Sequence, residues 1–249
     1  MKFIGLLMIN EENDILERTL AHNDPWVDCF YVLDGTSNHT RTWTIIREYG
    51  CVGYYLDSNM PRPPYPRQPT DGYRQFLLEE AYEDWGHDNW FVLMHGDEVW
   101  TADPRSIVEG RDNDGWVFRL PFFVPLAEDG WDDTVHPLDQ LHCSIGPGWP
   151  ELRMFKGGPN VRYNPAQHFN VTPSGLGSIG YADAEILHYP YRSPSVQRAR
   201  AALHAKSGFD VDNYRHILDR DEVLWTDEMI RQRMRRTHCE QLRDTRVSA

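Results

Sequence analysis

The first sixty residues alternate between apolar runs of strand length and segments with helical spacing. Residues 3–9 are continuously apolar, as in a strand buried on both faces, and residues 27–33 and 52–56 are two further short apolar runs. Residues 15–20 and 42–49, which separate these runs, indicate helices. This order predicts a β-α-β-α-β unit and therefore a parallel sheet with crossover helices.

A fourth apolar run ends in carboxylates. An amphipathic helix is predicted over residues 71–85, residues 90–94 then form an apolar run, and Gly96, Asp97 and Glu98 follow. A buried strand that delivers acids at its C-terminal end is a common way for an α/β fold to place a metal ion or a ligand. Because carboxylate oxygens suit Mg²⁺ or Mn²⁺, and such ions bridge diphosphate oxygens, we expect a metal-bound nucleotide here.

Acidic side chains follow three of the predicted strands. Glu11 and Glu12 come after the first strand, Asp34 after the second, and Asp97 with Glu98 after the fourth. Because the C-terminal ends of parallel strands share one edge, these groups are expected to converge on one crevice. A single Asp after a strand is more often a helix cap or a turn former. Three clusters in this order favour a ligand-binding crevice.

Downstream of residue 100 the pattern is less regular. Residues 115–120 and 122–126 indicate two strand pieces, residues 151–155 and 160–163 a hairpin, and residues 195–206 a helix.

Composition restricts the class of partner. The chain has 249 residues, 40% of them apolar, and a formal net charge of -13. That charge argues against broad electrostatic binding to nucleic acid or to an anionic membrane. The four cysteines form no C-x-x-C pair, which argues against zinc and fits reduced thiols in the cytoplasm. No apolar run approaches the roughly 20 residues of a membrane span.

The ordered motifs resemble those of family-two glycosyltransferases, which have the GT-A fold. In that family the first strand ends in Asn-Glu, the second in an Asp followed by small residues up to a Thr, and the fourth in Asp-x-Asp. The matching residues here are Asn10-Glu11, then Asp34-Gly35-Thr36-Ser37-Asn38-His39-Thr40, and then His95-Gly96-Asp97-Glu98. The resemblance implies an α/β fold with a Rossmann-like, mixed and mostly parallel central sheet flanked by helices, and a C-terminal helical extension follows it.

The resemblance also implies roles for individual residues. Glu11 and Asp34 would contact the base and ribose, and Arg192 a phosphate. The full set implied to bind the nucleotide is Asn10, Glu11, Asp34, Arg74, His95 and Arg192. Asp97 and His188 would bind Mn²⁺ or Mg²⁺. His95 replaces the first acid of Asp-x-Asp and can donate a hydrogen bond or bind Mn²⁺; a packed, hydrogen-bonded histidine is the alternative for His95 and His188.

The acceptor side is less defined. An inverting transferase needs a base that takes the acceptor proton, and we expect it to be Asp139, Asp129 or His168. Residues 128–139 are dense in carboxylates, and a solvated acidic loop is the alternative interpretation. His168 resembles the family's His-Glu pair, but Phe169 stands where the Glu is usual.

These features predict a GT-A glycosyltransferase domain over residues 1–210, with a nucleotide-sugar half (1–100) and an acceptor half (101–210), and a helical extension over 211–249. The predicted activity is inverting, metal-assisted transfer of a sugar from a UDP-linked or similar donor to a hydroxyl acceptor. A glycan, a lipid-linked sugar, a protein or a modified nucleobase would be the acceptor. The basic C-terminal helix offers a peripheral contact, although a solvated face is the more common role of such a run.

Two alternative functions remain open at this point. One is a degenerate, non-catalytic module that binds a nucleotide sugar or a carbohydrate, which His95 and Phe169 favour. The other is a nucleotidyltransferase, which also uses carboxylates and Mg²⁺ on an α/β sheet but normally has an early glycine-rich phosphate loop.

Overall fold

The computed structural model describes residues 1–36, 39–55, 70–164 and 172–207, together with 215, 217–219 and 223–231. The chain forms two compact units, and each is discontinuous along the sequence. The first unit comprises Met1–Leu120 and Pro150–Ile186, and the second comprises Pro121–Trp149 and Leu187–Ala249. The domain boundary at residue 210 remains a prediction.

The fold is built on an eight-stranded sheet. Its strands are β1 (Phe3–Ile9), β2 (Cys29–Asp34), β3 (Val52–Tyr55), β4 (Trp90–His95), β5 (Glu98–Trp100), β6 (Gly115–Val124), β7 (Cys143–Lys156) and β8 (Ile179–His188). They lie in the order β3-β2-β1-β4-β7-β6-β8-β5. The first four strands of this order are parallel neighbours, and β7 runs antiparallel to β4.

Helices connect and flank the strands. They are α1 (Leu16–Asn23), α2 (His39–Glu48), α3 (Thr70–Trp85), α4 (Pro104–Val108), α5 (Pro137–Gln140) and α6 (Pro194–Ser207), with a 3-10 turn at Asp24–Trp26. The expected fold class, a Rossmann-like mixed α/β sheet with helical flanks, is confirmed.

The core of the first unit explains why its apolar runs form strands. The side chains of Leu6, Tyr31 and Phe91, on β1, β2 and β4, are almost fully buried in one cluster. Leu77 and Ala81 of α3 close this cluster, as the predicted amphipathic stripe requires. The buried β1, β2 and β4 are thereby fixed in register, so the positions of the residues that follow them are fixed as well.

The second unit has a core of its own. Its buried members are Val124, Ile145, Tyr191, Ala201, Ile217, Val223 and Trp225. Trp225 joins this core through its backbone, since its N–H donates to Pro125 O at 2.8 Å and its carbonyl accepts from Ala127 N at 2.9 Å.

The predicted hairpin over residues 151–163 is wrong. Its first half lies within β7, but Arg162 pairs with Ser174 rather than with β7. The glycine at position 157 is needed for close packing rather than for a hairpin turn, because an added Cβ would lie 2.4 Å from His87 O. Residues 115–120 and 122–126, predicted as two pieces, are largely one strand, β6, through Pro121.

Most of the predicted C-terminal helix lies outside the described residues. Residues 227–231 are helical, and Arg231 forms an exposed ion pair with Asp227 at 3.3 Å. Among the helices that the structure describes, none has the length and apolar character needed to cross a membrane.

Candidate functional site

The carboxyl ends of β2, β1 and β4 lie side by side. In β1, Ile9 is paired with Asp34 of β2, and Met8 with His95 of β4. Neighbouring strands lie about 4.8 Å apart, so the ends of β2 and β4 are separated by roughly 10 Å across β1. The polar segments after these three strands therefore share one edge of the sheet.

Glu98, at this edge, is buried and paired. Arg153 of β7 places Nη2 2.8 Å from Glu98 Oε1 and Nη1 3.3 Å from Oε2. Glu151 also approaches Arg153 Nη2, at 2.9 Å. Burial alone would lower the pKa of the Arg153 guanidinium, but attraction to Glu98 and Glu151 raises it above its ordinary value. Arg153 is therefore charged, and Glu98 is engaged in holding the turn.

Glu98 also orients His95. The backbone N–H of His95 donates to Glu98 Oε2 at 2.9 Å, and His95 Nδ1 lies 3.4 Å from Oε1. In metal sites a ligating histidine typically directs its other ring nitrogen to a carboxylate, which orients the ring and raises its basicity. His95 therefore has surroundings typical of a histidine that binds metal through Nε2.

Side chains of α1 hold the main chain of the same turn. Thr19 Oγ1 donates to Gly96 O at 2.7 Å. Asn23 Nδ2 donates to Glu98 O at 2.9 Å, and Asn23 Oδ1 accepts from Trp100 N at 3.2 Å. The segment between β4 and β5 is thus fixed by side chains from two other elements, which preorganises the acids that it carries.

Asp97 is the acid that this turn presents. Its side chain is buried, and ligand atoms of Asp97 and His95 lie within 4.8 Å of each other. One carboxylate oxygen and one imidazole nitrogen form a mixed donor pair. Such a pair suits Mn²⁺ better than Mg²⁺, because Mg²⁺ favours oxygen ligands alone.

After β1 the chain turns sharply. Glu11 is exposed and has φ 64°, in the left-handed region, and Asn10 is exposed beside it. Glu12 is instead buried, accepts a hydrogen bond from the backbone N–H of Asn10, and packs on Gly96. A Cβ at Gly96 would lie 3.1 Å from Glu12 Cβ. The acid that packs against the turn carrying Asp97 is therefore Glu12. Glu11, which was expected from the sequence to bind the nucleotide, is not that residue.

Asp34 ends β2 as a fully buried carboxylate. Its Oδ1 accepts from Thr36 N and its Oδ2 lies 2.9 Å from His39 Nδ1, while the Thr36 bond is also 2.9 Å long. His39 lies within the motif that begins at Asp34, but it was not among the residues expected to form the site. These hydrogen bonds connect Asp34, at the edge of the sheet, to the first residue of α2.

The other residues that were predicted to bind the nucleotide or the metal ion lie on other elements. Arg74 is buried on α3 of the first unit. In the second unit Arg192 is buried and donates from Nη1 to Tyr189 O at 3.1 Å. His188 is the last residue of β8, and its ring meets Phe122 edge-on with centroids 5.0 Å apart.

The predicted acceptor-side residues are only partly described. Asp129 and Asp139 are exposed in the second unit, the latter in the first turn of α5, whereas His168 lies outside the described residues. Nearby, hydrogen bonds from the hydroxyl and N–H of Thr134 lower the pKa of Asp132, which makes that carboxylate a weaker base.

Comparison with known proteins shows likeness of structure only. No protein-family model matches this chain. No curated protein matches it either. Among solved structures it is similar to a 4-diphosphocytidyl-2C-methyl-D-erythritol synthase, with 11% identity over 62% of this chain and 74% of that one and a TM-score of 0.38. A second synthase of that name, from Anaerococcus prevotii, has 12% identity over 62% and 70% of the two chains and a TM-score of 0.34.

Arg153, which was not among the residues expected at the site, had a signal in the sequence. It interrupts an apolar strand, between Leu152 and Met154, and a charge in such a position requires a buried partner. Thr19 and Asn23 carried no comparable signal, because polar residues on a helix are usually solvated.

Proposed function

We propose that this protein is a metal-assisted glycosyltransferase that moves a sugar from a UDP-linked donor to a hydroxyl acceptor with inversion. The observation that carries the proposal is the shared edge of the sheet. There the buried Asp34 of β2 and the buried Asp97 after β4 flank the end of β1. This spacing suits a ligand with a nucleoside at one end and a charged diphosphate at the other.

The metal-ligating side chains near Asp97 support the binding of a divalent cation at the diphosphate end of the ligand. Asp97 and His95 are close enough to share one ion, and Glu98 supports His95 as an outer carboxylate. The proposed set of ligands also includes His188, on the ground of the resemblance alone. When bound, the cation would neutralise charge that develops on the leaving diphosphate.

The other residues have roles around the reaction rather than on the metal. Arg74 and Arg192 would pair with phosphate oxygens, since guanidinium groups match their geometry. The base that takes the acceptor proton is proposed to be Asp139, Asp129 or His168. Asn10 and Glu11, exposed where β1 ends, would contact the nucleotide.

The direct test measures UDP release without an acceptor. The protein is incubated with a panel of UDP-sugars and Mn²⁺, and slow hydrolysis of the donor is followed as free UDP. We expect release with at least one donor, and a loss of about a hundredfold in Asp97→Asn because the charge on the metal ligand is removed. Asp88→Asn is the matched control, because Asp88 is an exposed acid before the amino end of β4.

Other outcomes identify the alternative functions. Tight binding of UDP-sugar with no release, even with acceptors present, indicates a binding module. Release of pyrophosphate from a nucleoside triphosphate and a sugar phosphate indicates a nucleotidyltransferase. Equal UDP release by wild type and Asp97→Asn contradicts the metal assignment.

A further inference from the structure

The carboxylate of Asp34 is too buried to contact the nucleobase of a bound nucleotide directly. Its side chain has 0% exposure, whereas the His39 side chain bonded to it is 40% exposed. Asp34 Oδ2 lies 2.9 Å from His39 Nδ1, and Oδ1 is engaged by the N–H of Thr36. The solvent-facing member of this pair is therefore His39.

The bond to Asp34 determines the chemistry of His39. An ionised carboxylate only accepts hydrogen bonds, so in the neutral form of the His39 ring the proton lies on Nδ1. Nε2 is then an acceptor with its lone pair directed away from Asp34. A ligand that meets this nitrogen must supply an N–H or O–H donor.

An aromatic ring lies beside His39 at the same edge. Tyr55, the last residue of β3, is paired with Asp34 in the strand register and is 51% exposed. Its ring centroid lies 5.8 Å from that of His39, and Trp43 packs against it edge-on at 5.6 Å. Trp43 fixes the Tyr55 ring, which leaves an exposed aromatic group next to a hydrogen-bond acceptor.

We infer that His39 reads the nucleobase of the donor and that Tyr55 stacks on it, so that the site selects bases with a ring N–H over bases with a ring nitrogen acceptor. This inference rests on the proposed function. Uracil presents N3–H and guanine N1–H, each of which can donate to His39 Nε2. Cytosine and adenine present a lone pair at the equivalent ring position, and two acceptors then face each other.

The two residues have separable effects. Stacking on an aromatic ring tolerates any base, so Tyr55 contributes affinity without selection. Hydrogen bonding through a single acceptor discriminates, because the wrong base leaves a polar group unpaired. Replacing Tyr55 should therefore lower the affinity for every base, whereas replacing His39 should change the ratio of affinities between bases.

The experiment measures dissociation constants of UDP, CDP, GDP and ADP by calorimetry, with Mn²⁺ and the full chain. We expect UDP to bind about tenfold tighter than CDP, and GDP about tenfold tighter than ADP. His39→Gln, which offers both a donor and an acceptor, should bring both ratios close to one. Tyr55→Leu should weaken all four ligands by about fivefold or more and preserve the ratios. His142→Gln, at an exposed histidine of the second unit, is the control for both variants.

Each contrary result has a distinct meaning. Equal affinities for the paired diphosphates in the wild type, or unchanged ratios in His39→Gln, overturn the inference and leave the proposed function standing. Failure of all four to bind contradicts the proposed function and the inference with it. Thermal unfolding of each variant checks that the fold is retained.

Discussion

The guanidinium of Arg153 and the carboxylate of Glu98 form a buried ion pair, with Nη2 and Oε1 2.8 Å apart. Arg153 lies on β7 and Glu98 begins β5, so the pair ties the turn that carries Asp97 to a neighbouring strand. Because Glu98 also accepts from the backbone of His95, one carboxylate fixes both the side-chain and main-chain geometry of the turn.

Breaking this pair should be costly. In Glu98→Gln the Arg153 charge stays buried, and among the described residues Glu151 is then its acidic partner at hydrogen-bond distance. We expect a loss of about 3–5 kcal/mol in the free energy of unfolding. Urea denaturation measures it. Lys2→Met removes the exposed pair with Asp28 and should cost less than about 1 kcal/mol. A loss in Glu98→Gln no greater than in Lys2→Met would show that the pair does not stabilise the turn.

A side chain at position 96 should disturb the cation site. The added Cβ of Gly96→Ala would lie 3.1 Å from Glu12 Cβ and 3.3 Å from its Cγ, so the chain after β1 or the Asp97 turn must shift. We expect about 1–3 kcal/mol of destabilisation and weaker Mn²⁺ binding, measured by electron paramagnetic resonance. Gly158→Ala is the control, because its Cβ would meet only Val161 at an ordinary 3.4 Å. If the Mn²⁺ affinity of Gly96→Ala were unchanged, the geometry of this turn would not determine metal binding.

The hydroxyl of Thr19 should stabilise the same turn from α1. Thr19→Val keeps the shape but removes the donor to Gly96 O, which we expect to cost about 1–2 kcal/mol of unfolding free energy. Thr44→Val removes an exposed hydroxyl that donates to Thr40 O within α2, and its effect should be within about 0.5 kcal/mol. If Thr19→Val and Thr44→Val lowered the free energy of unfolding equally in chemical denaturation, the Thr19 hydroxyl would not stabilise the turn.

Cys51 should be unreactive in the folded chain. Burial raises the pKa of its thiol from 9.0 to about 12, so at pH 8 the thiolate fraction is roughly 1000-fold lower than in the unfolded chain. Iodoacetamide labelling followed by mass spectrometry of the Cys51 peptide, with and without denaturant, measures the difference.

The same shift makes stability depend on pH. Since the folded state keeps a proton that the unfolded state loses, the Cys51 contribution to stability is present below pH 9 and lost as the pH rises towards 12. Labelling of Cys51 at equal rates in folded and unfolded chains would contradict both expectations.

The amino-acid sequence alone determined the framework of this protein. Continuous apolar runs such as residues 3–9 and 90–94 have the length and composition of strands buried on both faces, and their order with intervening helices leaves few topologies. The run of β1 was predicted with its observed bounds, and the ends of β2 and β4 were predicted to within one residue. Because parallel strands end on one side, placing Asp34 and Asp97 on the same edge required no more than this order.

The packing of distant elements determines which groups surround the candidate site and which acids face inward. Glu11 and Glu12 are adjacent in the sequence, and the left-handed backbone at Glu11 selects Glu12 for burial. Arg153 meets Glu98 across 55 residues of chain, and Thr19 meets Gly96 across 77. Local patterns report the face and period of an element, but such contacts depend on how distant elements pack, which no local pattern encodes.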